Sequence, residues 1–149
     1  MGTHTALDVA TWFLAWAEGE DAPVSNLKLQ KLLYYAQGHH LAANHNVLFD
    51  DRIEAWAHGP VVPAVYHEFK RCGSGPILFD DRMAAEFDWD DYRDVEKLLI
   101  RVWNTYAPYD AWALRNRTHA ETPWIEAFSP DERRIEITKD SLEAFFADK

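Results

Sequence analysis

His58, His119 and Glu121 are the residues whose types most readily suggest catalysis. Two imidazoles and one carboxylate can hold a divalent metal on one face and leave positions open for water or substrate, as a metal-dependent hydrolase requires. Their spacing does not assemble them, because His58 stands far from the other two along the chain and only the fold could gather them. His39 and His40 are adjacent, so on a helix they project about 100° apart and cannot share an ion as an i, i+4 pair can. Packing or capping is the reading for both. Asp80, Asp81, Asp88, Asp90, Asp91 and Asp94 lack the alternating oxygen ligands, central glycine and terminal glutamate of a calcium loop, and read as a solvated acidic face. The run Gly73-Ser74-Gly75-Pro76 lacks the third glycine and the context of a dinucleotide fingerprint, and no phosphate loop or nucleophile elbow occurs. No local set of residues calls for a catalytic role or a cofactor.

The chain has 149 residues, 48% of them hydrophobic and 14% aromatic, which suffices for one domain over 1–149 with a real core. Its formal net charge of −10 opposes binding to a polyanion and suits an electropositive partner. Cys72 is the only cysteine, so an intrachain disulfide and a thiolate zinc cluster are both excluded, and a reducing cytoplasm fits best. The apolar run Trp12, Phe13, Leu14, Ala15, Trp16 has no basic leader and is closed by Glu18 and Glu20. It reads as neither a signal peptide nor a membrane span.

Stepping along the chain, Val9, Trp12, Phe13 and Trp16 mark one face of a first helix ending near Gly19. Ser25 is placed to cap a second helix, over about 25–45. There Leu29, Leu32, Leu33, Ala36 and His40 form one stripe, and Leu27, Tyr34 and Leu41 another, leaving a narrow strip of Lys28, Lys31 and Tyr35. Such a helix is surrounded by protein on most sides. IEAWAH at 53–58 predicts a short strand that Gly59 and Pro60 stop, followed by a helix to Arg71 with Val62, Val65, Tyr66 and Phe69 inward and Gly73 at its end. Residues 72–92 read as a surface excursion with a possible strand at 77–79. The stripe Val95, Leu98, Leu99, Val102, Trp103, Tyr106 predicts a helix started by Asp90 or Asp91 and ended by Pro108. A helical piece over 110–117 follows, then a brief helix through Phe128 with Thr122 as cap and Pro123 at its first position. RRIEIT offers another strand, and Leu142, Phe145 and Phe146 a closing helix. The fold class is mainly α: a compact single-domain helical bundle around a central helix, with a minor two- or three-stranded β component built from distant segments. Trp12, Trp16 and Trp103 belong to the core; Trp56, Trp89, Trp112 and Trp124 are harder to place, and an exposed aromatic cluster would mark a protein-binding surface.

Three stretches, SNLKLQKLLYYAQGHHLA (25–42), LFDDRIEAWAHGPVVPAVYHEFKRCG (48–73) and THAETPW (118–124), occur in order and together cover much of the chain. With them the sequence resembles the Panacea domain, the SocA-like antitoxin family found also in phage-associated GepA-type proteins. The resemblance implies a mainly helical domain that is not an enzyme, needs no cofactor, and neutralises a cognate protein toxin of a bacterial or prophage toxin–antitoxin pair by direct contact. SocA-like members are also associated with handing a toxin to an ATP-dependent protease. The motif positions it carries over include Gln30, Lys31, Tyr34, Tyr35, Glu54, Trp56, Gly59, Pro60, Tyr66, Thr118, His119, Glu121, Pro123 and Trp124. One departure is the ALRNR stretch before Thr118, where such proteins carry a more apolar, serine-containing segment.

From the residues themselves, Gly59 and Pro60 read as a strand-to-helix corner, and Lys31 as part of a buried polar network with Glu54, Thr118 or Glu121. A contact segment for the toxin is placed at Phe79, Asp80, Asp81, Asp88, Trp89, Asp90, Asp91 and Asp94, since partner choice usually resides in irregular segments on a fixed scaffold. The competing readings are the protease adaptor and the hydrolase built on His58, His119 and Glu121. Binding to nucleic acid is disfavoured because no helix gathers Lys and Arg on one face.

Overall fold

The computed structural model describes residues 4–149; Met1–Thr3, which open the stretch read against a leader peptide, lie outside the described residues. Helix α1 (Ala6–Gly19) starts at a reciprocal cap, in which the Thr5 hydroxyl accepts from the Asp8 amide and the Asp8 carboxylate accepts from the Thr5 amide. It buries Val9, Trp12 and Phe13 and ends at Gly19, as its periodicity predicts. Helix α2 (Asn26–Asn44) begins after Ser25, whose hydroxyl accepts from the Lys28 amide, and ends where His45 turns left-handed at φ 58°.

Protein surrounds α2 on nearly all sides. Leu29, Leu32, Leu33, Tyr34, Tyr35 and Ala36 are fully buried, and so are Lys31 and Tyr35 of the strip expected to be its polar edge. Helix α8 (Lys139–Phe146) lies against it, with the Phe146 ring 5.6 Å from Tyr34 and 5.9 Å from Tyr35. Helix α5 (Glu96–Tyr106) stacks Tyr106 on Tyr35 with centroids 3.7 Å apart. The α5 stripe is buried as expected through Val95, Leu99, Val102, Trp103 and Tyr106. Its cap is not Asp90 or Asp91 but Val95, which has no side-chain bond to offer, because both aspartates belong to the preceding 3₁₀ turn Trp89–Tyr92.

The β component is a three-stranded antiparallel sheet in the order β2-β1-β3. Strand β1 (Ile53–Trp56) ends earlier than predicted, and Gly59 and Pro60 do not stop a strand: they open the return strand β2 (Gly59–Val61), paired Trp56 to Gly59 and Ala55 to Pro60. Proline is tolerated because β2 is an edge strand whose missing donor faces no partner. Strand β3 (Glu136–Ile137), from the RRIEIT stretch, pairs with Ile53 and Glu54, so the chain's second half closes on the middle. Helix α3 (Pro63–Phe69) follows β2 and runs into the 3₁₀ turn Lys70–Cys72, where Gly73 stops it.

In the surface excursion, the strand expected at 77–79 does not form: only the Ile77 amide finds a partner, the Val24 carbonyl at 2.9 Å. Instead α4 (Asp81–Glu86) is capped by Asp80, and the turn at Trp89–Tyr92 by Asp88. Helix α6 (Ala111–His119), capped by Asp110, passes unbroken through the ALRNR stretch. Helix α7 (Thr122–Ala127) starts one residue before its expected boundary: Glu121 is the flanking residue, and Pro123 lies in the first turn. Among the described residues, no helix is long and apolar enough to cross a membrane.

Helix α8 meets α2 at Gly38, where a Cβ would overlap the edge of the Phe146 ring. Gly38→Ala is expected to lower the unfolding free energy by about 1–3 kcal/mol, the usual cost of overpacking. Urea unfolding of the two proteins measures it.

Candidate functional site

The polar side chains buried on α2 fasten other segments to it. Gln30 donates to Asn26 at 2.8 Å and accepts the Val62 amide at 2.9 Å, and Asn26 in turn donates to the Tyr66 carbonyl at 3.1 Å. The β2–α3 junction is thereby tied down. Two turns later Gln37 donates to the Phe49 carbonyl at 2.7 Å and accepts the Leu48 amide at 2.8 Å, holding the loop before β1. The two tyrosines reach the opposite side of the molecule. Tyr34 donates to Oε1 of Glu121 at 2.9 Å and Tyr35 to Oε2 at 3.1 Å.

Glu121 is thus the junction between α2 and the α6–α7 corner, with the Arg117 guanidinium 3.7 Å away on its outer side. Burial raises the Glu121 carboxyl above its ordinary range, opposed by the two tyrosine bonds and by Arg117. Burial, and then the facing Glu121, drive both tyrosine hydroxyls far above theirs, so both stay protonated as donors. His39 completes the layer with its Nε2 2.7 Å from the Tyr106 hydroxyl, and burial together with Arg101 and Arg117 lowers it to about 4. It is neutral at pH 7. His40 faces outward to the Asn46 carbonyl, so the histidine pair splits between core edge and surface.

Lys31 stands apart from this network. It is fully buried, yet its one bond is to the Pro60 carbonyl at 3.5 Å, the outer limit for a hydrogen bond. Neither Glu54 nor Glu121 pairs with it: Glu54 accepts from Trp56 at 3.0 Å and meets Arg52 at 3.0 Å. Thr118, one of the three partners expected for it, is its neighbour across Gly59, but the Thr118 hydroxyl donates to the Arg115 carbonyl. Gly59 is required twice over. Its φ is +110°, and a Cβ there would lie 2.6 Å from Lys31 Cε and 2.9 Å from Thr118 Oγ1. Burial, and then the charge of Arg115, lower the Lys31 amine to about 7.

His58, His119 and Glu121 do not form a ligand set. The Glu121 oxygens face two tyrosines, His119 stacks on Trp124 at 3.9 Å, and His58 leans on Trp112 at the surface. Among the described residues no three His, Cys, Asp or Glu side chains are placed to hold a metal ion. The remaining motif residues are scaffold: Trp124 donates to the Trp56 carbonyl at 2.8 Å, Pro123 is buried beside it, and Tyr66 meets the Trp56 ring edge-on at 5.0 Å.

The expected contact segment is exposed at all six aspartates, while Phe79 packs on Phe87, and Trp89 meets Trp12 and Trp16 edge-on at 6.1 and 6.0 Å. Asn26 and Arg115 are structural participants that no motif or spacing had singled out. The Asn26–Gln30 spacing of i, i+4 was the available signal for the first.

Residues 29–125 match the family described as "Antitoxin SocA-like, Panacea domain". Antitoxin SocA of Caulobacter vibrioides (strain NA1000 / CB15N) is 46% identical over 70 residues, which are 47% of this chain and 37% of that relative. The match therefore spans well under half of the curated relative's length. No solved structure matches the chain.

Because Lys31 is held near 7 when folded and stands at its ordinary 10.5 when unfolded, the unfolded chain binds more protons between those values. Stability is therefore expected to rise with pH from about 7 to 9, at no more than about 1.4 kcal/mol per unit for one such group. Lys28, also lowered by burial, adds in the same direction. Lys31→Met keeps the stem and removes the amine, and is expected to flatten most of the rise and to be at least as stable as the parent at pH 7. Urea midpoints across the window give the result.

Proposed function

The chain belongs to the SocA-like antitoxin family with a Panacea domain, and from that membership we propose that it is the antitoxin of a bacterial or prophage toxin–antitoxin pair. In this reading it acts as one unit over 1–149, in the cytoplasm, by binding a cognate protein toxin, and it turns over no substrate.

The observation that carries the proposal beyond membership is where the motif's polar groups point. Glu121, Tyr34, Tyr35 and Gln30 engage one another or the backbone inside the molecule. A substrate would have to break those bonds to reach them. Recognition consequently falls to the surface, and the segment from Phe79 to Asp94 is the proposed contact. Its exposed aspartates suit a basic face on the toxin and would speed the encounter, while Trp89, 40% exposed on an aromatic bed, would slow release.

Co-expression with the protein encoded beside it, scored for growth, tests the reading. The chain is expected to rescue growth, and Asp81→Lys with Asp91→Lys is expected to lose rescue without a change in melting. A folded, soluble chain that rescues no growth would sink the proposal. Toxin half-life in the same cells decides the mode: an unchanged half-life means blocking, whereas a shortened one means delivery to a protease.

A further inference from the structure

The molecule has a second exposed surface, opposite in sign to the acidic segment, where the β1–β2 turn meets the outer face of α6. Trp112, Arg115 and His119 recur there at i, i+3 and i+7 and share that face. His58, in the turn, brings its ring 5.9 Å from that of Trp112. Trp112 is 54% exposed, and the Arg115 guanidinium lies 4.5 Å from its ring centroid, a cation on an aromatic face. Such Trp and Arg pairs are the residues that dominate binding hot spots.

Nη1 of Arg115 donates to Asn116 at 2.9 Å, but its buried Nε has no partner among the described residues. Behind it lies the fully buried Lys31 with its single 3.5 Å contact. Each carboxylate on the neighbouring elements faces elsewhere: Asp110 caps α6, Glu54 meets Arg52 and Trp56, and Glu121 takes the tyrosines. Burial, and then the charge of Arg115, lower His119 against a hydrogen bond to the Ala57 backbone, which leaves Arg115 as the cation of the patch. In a chain of net charge −10, Arg115 stands here without a carboxylate partner among the described residues, and an unpaired buried donor carries a desolvation penalty that an acceptor would relieve.

We propose that this patch receives an aspartate or glutamate side chain of a protein partner, its carboxylate pairing with the Arg115 guanidinium while its stem packs on Trp112. The inference rests on the reading of the chain as a protein-binding module. A nucleic acid would need Lys and Arg spread over several phosphates, which the rest of the acidic surface opposes. A second copy of the chain, docking its own acidic segment, would make a head-to-tail contact, which builds rings or open chains.

The test uses the full-length chain and an acetylated pentapeptide of alternating glutamate and alanine, followed by NMR at the Trp112 indole N–H and the Arg115 Nε–H. Both resonances are expected to shift saturably. The glutamine counterpart should leave them in place, Trp112→Phe should keep binding, and Arg115→Gln should weaken it at least about tenfold, the scale of a charge-assisted bond. An equal response to the glutamine peptide, or none at these two positions, overturns the proposal. So does tighter binding of inorganic phosphate, which would make it a free-anion site, or self-association that rises with concentration and is lost in Arg115→Gln. Growth rescue separates the two readings: a silent patch with intact rescue removes this site alone, whereas failed rescue by the parent chain removes the antitoxin reading.

Discussion

The fold depends on hydrogen bonds from the buried flank of α2 to peptide groups and side chains that no helix or strand ladder supplies. Gln30 serves the Val62 amide, Gln37 the Leu48 amide and Phe49 carbonyl, and Tyr34 with Tyr35 serve the Glu121 carboxylate. A short sheet cannot bind these segments by itself, since β2 has three residues and β3 two. The central helix takes over that role, and each of its polar residues must therefore be both buried and correctly aimed. Removing one partner would leave the other unsatisfied in the interior, which costs more than the bond itself contributes.

Lys31 is the exception that this arrangement exposes. Its stem fills core volume, but its amine has one distant acceptor and no carboxylate, and Gly59 is shaped around it. A lysine used only for packing could be replaced by an apolar residue of similar length with a gain in stability.

Apolar periodicity made the helices legible, because α1, α2 and α5 each repeat buried residues at helical spacing over several turns. The β component was legible as short alternating runs, but its pairing was not, since β1 meets β3 across most of the chain's second half. Gly59 and Pro60 misled for a physical reason. Both break regular structure in general, yet an edge strand tolerates a proline and a left-handed entry tolerates a glycine. The candidate site was half legible. That Lys31, Thr118 and Glu121 belong to the interior follows from their company in the motifs, whereas which of them pair does not. Two tyrosines adjacent on one helix both reached Glu121 because the α6–α7 corner presents its two oxygens to them at once, a geometry no spacing encodes. The terminal caps were misjudged at α5 because six aspartates in a row of turns offer several starts, and only the fold chooses among them.

Charge is divided in this molecule rather than merely negative. Asp80, Asp81, Glu86, Asp88, Asp90, Asp91 and Asp94 crowd the 79–94 segment, while Arg115, Arg117 and His119 fall within one helix whose capping acid, Asp110, is occupied. Two surfaces of opposite sign orient an approaching partner as well as attract it, because a reversed approach brings like charges together. A scaffold in which Gln30, Gln37, Tyr34, Tyr35 and Glu121 are engaged with one another or with the backbone has little freedom to change them. Variation in partner can accordingly be accommodated in the exposed acidic segment, where Asp80 and Asp88 cap local turns, while α2 and the residues it fastens stay as they are.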